Sequence, residues 1–570
     1  MNTNSALEVA TALRDPAIVM DPRRLGAMHQ TRISFVRSLL RKMANEEWTL
    51  STKRWDLQSD GLGTVIYELT TPKHTYQLVV FCDAIEDEER NDRVIAEKWD
   101  VTFALIKGRV SQKGLDQLRQ NVPLQEAGRN SPKVLVLSRA NKSVRVFDLV
   151  ISALAKGVQP DPLEMAKVGY ILRTTAVYGN GKFGIADFET LQDNDDFNLS
   201  FSAQMCAVYL LRQFSLDWVH FIAAQQGGDQ ATTLMPALQR YIGIGNATGL
   251  GMAPFLITHP RVVAQWITQR EIAFATILAM PIDVERLHGV CQLLEKAKIH
   301  LCQVTTIDEQ QRTLNQHSVS ELNDLILRVQ DNAESATRWS EIYALCAECS
   351  FETQEIFFSS IMELHPEQVD ALADDMNCDP SLSLTPGATV SEMISLIETR
   401  YQWAINIDFS EPDNQYWFWY RSVDKEEPRL AVRGEEPGEE NELALDIARQ
   451  VSRLYSTLQD SNGEGSLAQF LLIHPKLRTI ARRVWTLGNV PMGDIQINAL
   501  ARDMLPIHLL RCKLSMFGAT KFDPRSARWV RVTLFQGAPL FTDLKPNHEE
   551  ESWLFPLLPN TVASNEERCQ

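Results

Sequence analysis

The two ends of this chain repeat one order of local patterns, and that repetition restricts the possible folds more than any other sequence feature. When the sequence is compared with itself at a shift of 339 residues, residues 403–409 fall on 64–70 and residues 416–421 fall on 77–82. The two early segments alternate apolar and polar residues around a turn at 71–74, which is typical of a β-hairpin. The match of both strands predicts a second, related hairpin.

A second pair of motifs matches at the same shift. Residues 517–522 (FGATKF) fall on 178–183 (YGNGKF), and each motif follows a Leu-Arg pair, at 510–511 and 172–173, in a segment with helical spacing. This agreement predicts an internal duplication into two lobes, each a helix plus an antiparallel hairpin. Chance similarity between short motifs on similar local structures is the alternative. Ligand sites often lie between such lobes, so a duplication also predicts where a site would be.

Length and periodicity divide the chain into parts. A chain of 570 residues is too long for one hydrophobic core. Apolar residues at helical spacing dominate the middle of the chain, whereas both flanks carry strand patterns. The predicted fold class is therefore α+β and predominantly α-helical. The predicted parts are an N-terminal α+β lobe at 1–200, a helical middle at 201–350, a C-terminal α+β lobe at 351–545 and a mobile acidic tail at 546–570.

Several individual helices follow from apolar residues spaced three and four apart. Glycine and proline at 157–160 separate two of them. The three His-Pro pairs, at 259–260, 365–366 and 474–475, are typical of helix junctions because proline suits the first helical turn. The predicted helices cover residues 22–47, 144–156, 161–177, 201–225, 261–280, 284–304 and 319–329.

The net charge of the chain disfavours nucleic-acid binding. At −17 and a pI near 5.2, the chain repels phosphate backbones, so no nucleic-acid partner is predicted. The stretch 23–54 is an exception in being rich in Arg and Lys, and the sequence alone favours a solvated helix face there. Nucleic-acid binding through this stretch is the weaker alternative, and it would be strongly salt-sensitive.

The sequence favours a cytoplasmic protein that does not enter a membrane. The first twenty residues lack the basic start and apolar core of a signal peptide. The most apolar long segment, 201–224, contains Arg212, Asp217 and His220, which a membrane-spanning helix rarely holds. Nine scattered cysteines do not form a disulfide framework. Cys346 and Cys349 form a CxxC motif within an apparent helix, so no metal site and no cofactor are predicted.

A cluster of cationic residues is the main candidate for ligand binding. Residues 138–145 (SRANKSVR) lead from a predicted loop into a helix, and helix N-termini together with Arg and Lys bind anions. The glycine-rich segment 178–184 allows the backbone to approach a ligand. A solvated basic turn and a simple helix C-cap are the structural alternatives. The predicted substrate-binding residues are Arg139, Asn141, Lys142, Arg145, Arg173 and Lys182.

Proton transfer requires a positioned carboxylate, histidine or tyrosine. Glu97 and Asp100 lie three residues apart at the entrance to a predicted strand, and Tyr178 opens the glycine-rich segment. These three are the predicted catalytic residues, with solvated acidic side chains as the alternative for the first two. His220 lies on an apolar helix, where a histidine is more often a hydrogen-bonded core residue.

Together these residues predict a metal-independent cytoplasmic enzyme of the lyase, isomerase or group-transfer class. Its substrate would be a small metabolite bearing a carboxylate or phosphate, bound by the Arg/Lys cluster while a nearby base removes a proton. A homo-oligomer is compatible with this hypothesis. The alternative is a non-catalytic interaction or regulatory scaffold, for which the aromatic segment 416–420 (YWFWY) would be a docking surface.

Overall fold

The fold joins a large mixed β-sheet to helical layers, and it is α+β and predominantly helical as predicted. The computed structural model describes residues 12–85, 99–121, 133–174, 194–197, 202–249, 253–373, 382–411, 417–422, 425–432, 442–444, 446–461, 465–501, 504–526, 529–546 and 552–559.

Twelve strands are formed by the described residues, in two sheets. Nine strands form one sheet in the order β1-β2-β3-β4-β5-β6-β7-β12-β11, and three form a second in the order β10-β8-β9. The strands are β1 Thr49–Leu57, β2 Gly63–Thr70, β3 Thr75–Cys82, β4 Val101–Lys107, β5 Val134–Lys142, β6 Tyr170–Thr174, β7 Gly243–Gly249, β8 Trp417–Ser422, β9 Lys425–Val432, β10 Glu442–Ala444, β11 Ala519–Ser526 and β12 Trp529–Leu534.

Helices occur throughout the described residues and form most of the middle of the chain. They are α1 Pro16–Val19, α2 Pro22–Ala27, α3 Phe35–Asn45, α4 Gln112–Asn121, α5 Phe147–Ala155, α6 Pro162–Ala166, α7 Ser202–Gly227, α8 Pro236–Tyr241, α9 Ala253–Thr258, α10 Pro260–Ala279, α11 Val284–Gln303, α12 Glu309–Asn332, α13 Trp339–Ala344, α14 Phe351–Glu363, α15 Pro366–Ala373, α16 Val390–Arg400, α17 Gln402–Ile405, α18 Asp446–Asp460, α19 Leu467–Ile473, α20 Arg478–Gly488, α21 Gln496–Ala499 and α22 Pro506–Phe517.

The large sheet is buried on both faces in its first half. Alternate residues of β3, such as Leu78 and Val80, belong to the main core, which also contains α7. Their neighbours Val79 and Phe81 pack with Leu115 and Leu118 in a smaller cluster that includes α4. Strands covered on both faces are apolar almost continuously. This explains why β2 and β3 have only one or two residues that are not buried.

One sheet combines strands from distant parts of the sequence. Strands β1 to β6 pair in sequence order, and β7 then lies parallel to β6. The C-terminal hairpin of β11 and β12 adds to the other edge of β7, with Val532 opposite Asn246. Segments from the predicted N-terminal lobe, helical middle and C-terminal lobe therefore share one sheet, while the domain bounds stay a prediction.

Two predictions from the self-comparison are wrong. One is the first strand of the second hairpin, and the other is the helix that was expected to contain Leu172 and Arg173. Residues 402–405 form the short helix α17 rather than a strand, and β8 pairs with β9 and β10. Leu172 and Arg173 lie in β6, whereas Leu510 and Arg511 lie in helix α22. A short buried segment such as 170–174 fits a strand as well as a helix, so its hydrophobic periodicity could not distinguish the two. The duplication is not confirmed.

The helices of the middle region agree with the sequence. The predicted segments 201–225, 261–280 and 284–304 correspond to α7, α10 and α11. The residue after each His of the three His-Pro pairs begins a helix or a 3₁₀ turn, which confirms the junctions. None of the helices in the described ranges combines the length and the apolar character that crossing a membrane requires.

The cysteines differ in part from expectation. Cys346 and Cys349 are buried free thiols in the turn between α13 and α14, not within a helix, and burial raises the pKa of the Cys346 thiol to about 12. Cys302 is disulfide-bonded, which the scattered cysteines of the sequence did not indicate. The cytoplasmic location stays a prediction.

The basic stretch 23–54 is a solvated helix face only in part: Arg23 is exposed, whereas other arginines of the stretch are buried. Arg24 and Arg37 are only 4% and 3% exposed, and each pairs with a glutamate of α14. The partners, Glu355 and Glu363, are also buried. Charge alone gave no sign of burial because the compensating carboxylates lie more than 300 residues further along the chain. These arginines therefore bind the N-terminal segment to helix α14.

Candidate functional site

Four of the predicted site residues meet at one end of the large sheet; we call Asp100, Arg139, Asn141 and Arg173 the strand-end cluster. Asn141 lies opposite Arg173 across β5 and β6. The Asp100 carboxylate accepts a hydrogen bond from the Lys142 backbone N–H at 2.9 Å, and the Asn141 side-chain oxygen accepts one from the Asp100 N–H at 3.1 Å. Residues from β5 and β6 and the residue that precedes β4 thus come together, as the anion-site hypothesis requires.

Two other cationic residues of the hypothesis, Lys142 and Arg145, lie away from this cluster. Successive residues of a strand point to opposite faces, and Lys142 accordingly places its ammonium over the rings of Phe147 and Trp218, at 4.8 and 5.0 Å. Arg145 is exposed in the turn before α5. That helix begins at Phe147 rather than at residue 144, so the predicted helix N-terminus does not gather the cluster.

The other predicted residues do not join the strand-end cluster within the described part of the chain. Glu97, Tyr178 and Lys182 lie outside the described residues. His220 is the core residue that was expected, since its Nε2 accepts a hydrogen bond from the Leu234 N–H at 3.1 Å. Burial lowers the pKa of His220. Sequence reasoning missed Trp99, whose ring lies 4.5 Å from the guanidinium carbon of the buried Arg139.

A second place in the molecule offers a ligand-sized space, which we call the central cavity. It has a volume of about 90 Å³ and lies between α11, α12, α14, α22 and β11. A water needs about 10–15 Å³ by this kind of measure, so the cavity has room for about six waters or one small metabolite. Polar side chains form much of the wall: His29, Gln30, His300, Gln311, Asn315, Glu352 and Arg511.

Opposite charges face each other in this wall. The Glu352 carboxylate accepts a hydrogen bond from His29 Nε2 at 3.1 Å, and its second oxygen lies 3.7 Å from an Arg511 guanidinium nitrogen. Burial alone would raise the pKa of Glu352, but the His29 hydrogen bond and the Arg511 charge together lower it below its ordinary value. Glu352 is therefore an ionised carboxylate at neutral pH.

The second histidine of the wall is neutral. Burial lowers the pKa of His300 to about 4, although the Pro556 carbonyl, 2.9 Å from Nδ1, opposes the shift. Because Nδ1–H donates to that carbonyl, the Nε2 atom of the neutral ring carries a lone pair. His300 thus adds a hydrogen-bond acceptor and no charge to the cavity.

Several polar atoms of the wall lack a hydrogen-bond partner within the described part of the chain. They are Gln30 Oε1, Gln311 Oε1 and Arg511 Nε, all of them buried. The side-chain amide nitrogen of Gln311 donates to Asn315 Oδ1 at 2.7 Å, so in this side chain only the Gln311 Oε1 atom is without a partner among the described residues. A buried polar atom without a partner costs about 1–3 kcal/mol. Polar contents that pair with these atoms would recover that free energy.

This cavity is difficult to predict from the amino-acid sequence. Its polar residues come from four segments, near residues 30, 300–315, 352 and 511, and no two segments are adjacent in the chain. The available signals were Gln311 and Asn315 at helical spacing, and Arg511 within an apolar helix. Each signal is equally typical of an ordinary helix surface.

The chain was also compared with protein families, curated proteins and solved structures, and no significant match was found in any of the three comparisons.

Proposed function

We propose that the central cavity binds a small metabolite bearing a carboxylate. The observation that carries this proposal is the half-buried Arg511 in the cavity wall, whose buried Nε atom lacks a partner among the described residues. A guanidinium is the side chain best suited to a carboxylate because its N–H groups can bind both oxygens. The volume of about 90 Å³ suits a ligand of a few heavy atoms.

The same wall suits acid–base chemistry that uses protein groups alone. His29 and Glu352 form a hydrogen-bonded pair that can accept or deliver a proton, and Arg511 can stabilise negative charge that develops on the substrate. Such an arrangement fits a lyase, isomerase or group-transfer enzyme. We propose this activity for a cytoplasmic protein, with a non-catalytic scaffold as the alternative. The side chains of the aromatic segment 416–420, which would form the docking surface of such a scaffold, lie outside the described part of the structure.

Replacement of Arg511 by Gln should abolish carboxylate binding, because a neutral amide cannot pair with the anion. The measurement is isothermal titration of the folded full-length protein with acetate, propionate, L-lactate and L-alanine. A ligand at 100 times its Kd should stabilise the wild-type protein by about 2.7 kcal/mol. Arg453→Gln, an exposed arginine on α18, is the matched control and should bind as the wild type does. Absence of binding by the wild type, or equal binding by folded Arg511→Gln, would refute the proposal.

The strand-end cluster supports a second candidate, a phosphate or carboxylate site at the end of the sheet. The observation in its favour is that the buried arginines Arg139 and Arg173 lie on adjacent strands, near Asn141. Arg173→Gln should weaken the binding of inorganic phosphate at least tenfold, since one charge-assisted contact is lost. Arg145→Gln, on the exposed turn nearby, is the control. Equal phosphate affinity in both variants would reject this candidate.

We also keep the internal duplication as a hypothesis about the origin of the chain. Its support is the sequence agreement at a shift of 339 residues and the presence of a helix followed by an antiparallel hairpin near both ends, α3 with β1 and β2, and α22 with β11 and β12. These two units are not aligned by that shift. The hypothesis therefore concerns ancestry and does not locate the site.

A further inference from the structure

We infer that the ligand of the central cavity is a small α-amino acid, of about two to four carbons, rather than a simple carboxylic acid. This inference rests on the proposed function, because it specifies the ligand class of the same cavity. It follows from two properties of the wall: the number of hydrogen-bond acceptors and the balance of charge.

The wall presents several hydrogen-bond acceptors besides the Arg511 guanidinium. Gln30 Oε1 and Gln311 Oε1 have no partner among the residues that the structure describes, and Glu352 adds a carboxylate. His300 contributes the lone pair of Nε2. A simple carboxylate brings only further acceptors, so it would satisfy Arg511 and leave the amide oxygens unpaired. An ammonium group brings three donors and pairs with these oxygens.

The charges of the wall also favour a zwitterion. Glu352 and Arg511 carry one charge of each sign, and their side chains approach within 3.7 Å. A simple carboxylate would bring an uncompensated negative charge into a largely buried space, which is costly. An α-amino acid adds no net charge. Its ammonium and carboxylate are attached to one carbon, so each can reach the wall residue of opposite charge across a short distance.

Ordered water is the competing content of the cavity. Waters can pair with the same amide oxygens and with Arg511 Nε, and about six would fill the space. Water binding does not discriminate between an amino acid and its two halves. A comparison of L-alanine with propionate, which lacks the ammonium group, and with ethylamine, which lacks the carboxylate, therefore separates the possibilities.

The experiment is isothermal titration of the full-length protein with L-alanine, propionate and ethylamine under identical conditions. We expect L-alanine to bind at least tenfold more tightly than either half, since each half makes only one of the two charged contacts with the wall. Propionate affinity equal to that of L-alanine would overturn the amino-acid inference and leave the carboxylate site intact. Absence of binding by all three probes would overturn both proposals.

Variants connect this preference to the wall residues. Glu352→Gln should remove the preference for L-alanine over propionate, from at least tenfold to about equal affinity. The control is Glu348→Gln, which changes an exposed residue four positions earlier in the chain and should retain the preference for L-alanine. If Glu352→Gln does not fold, Gln311→Leu gives the same information, because it removes an amide oxygen from the wall and should weaken L-alanine about tenfold but not propionate. A retained preference in a folded wall variant would refute the inference.

Discussion

Glu355→Gln should lower the free energy of unfolding by about 3–5 kcal/mol, because it leaves buried arginines without their shared counter-charge. Glu355 lies within 3.5 Å of Arg14, 2.9 Å of Arg24 and 3.3 Å of Arg270. The side chains of Glu355 and Arg270 are fully inaccessible to solvent. The measurement is equilibrium denaturation in urea, with Glu348→Gln as the control, which should change the stability by less than about 0.5 kcal/mol.

Acid should reveal the same interaction. Burial would raise the pKa of Glu355, but the neighbouring arginines lower it below the ordinary value of 4.5. A carboxylate whose pKa is lower in the folded state stabilises the protein above its unfolded pKa, and this stabilisation is lost as the pH falls below about 4.5. The glutamine variant should therefore lose less stability than the wild type over that range. Parallel stability curves for the two proteins would contradict this account of Glu355.

The second large effect is expected at Asp494, which holds the C-terminal helices to the rest of the molecule. Arg483 donates two hydrogen bonds to the Asp494 carboxylate, both at 2.8 Å, and a third to the Ile257 carbonyl at 2.7 Å. Tyr401 donates to the same carboxylate at 3.1 Å. Asp494→Asn leaves the buried Arg483 without a counter-charge and should cost about 3–5 kcal/mol.

Hydrogen exchange is the appropriate measurement for this variant, because it reports stability helix by helix. The core that contains α16, α18, α19 and α20 is separate from the main core, so protection should fall there first. Asp460→Asn, an exposed residue at the end of α18, is the control. Unchanged protection of these helices in Asp494→Asn would show that the ion pair contributes little.

The sequence predicted the long helices well and the short apolar segments poorly. The segment 201–225 is long and apolar around much of its circumference, and α7 occupies nearly the same residues. By contrast, residues 170–174 form a short buried segment with only three apolar residues in a row, at 170–172, and such a run is as typical of a strand as of a helix. The pairing of β6 with β5 and β7 decided the outcome, and pairing over such distances leaves no local signal.

The candidate sites differ in the same way. Asp100, Asn141 and Arg173 could be proposed together because each stands near a recognisable strand or loop. The central cavity could not be proposed, since His29, Glu352 and Arg511 have no shared motif and meet only after the two ends of the chain pack together. Arg24 illustrates the converse error: its charge indicated solvent, while its partner Glu355 placed it in the interior.

The position of β7 between β6 and β12 has a consequence for the order in which the chain can fold. One edge of β7 pairs with a strand made earlier in synthesis, but the other pairs with residues 529–534, almost 300 residues later. An unpaired strand edge is a template for wrong association, and contacts between distant residues form slowly. Completion of this sheet must therefore wait until residues 529–534 have left the ribosome, and the nascent chain carries an open β-edge until then.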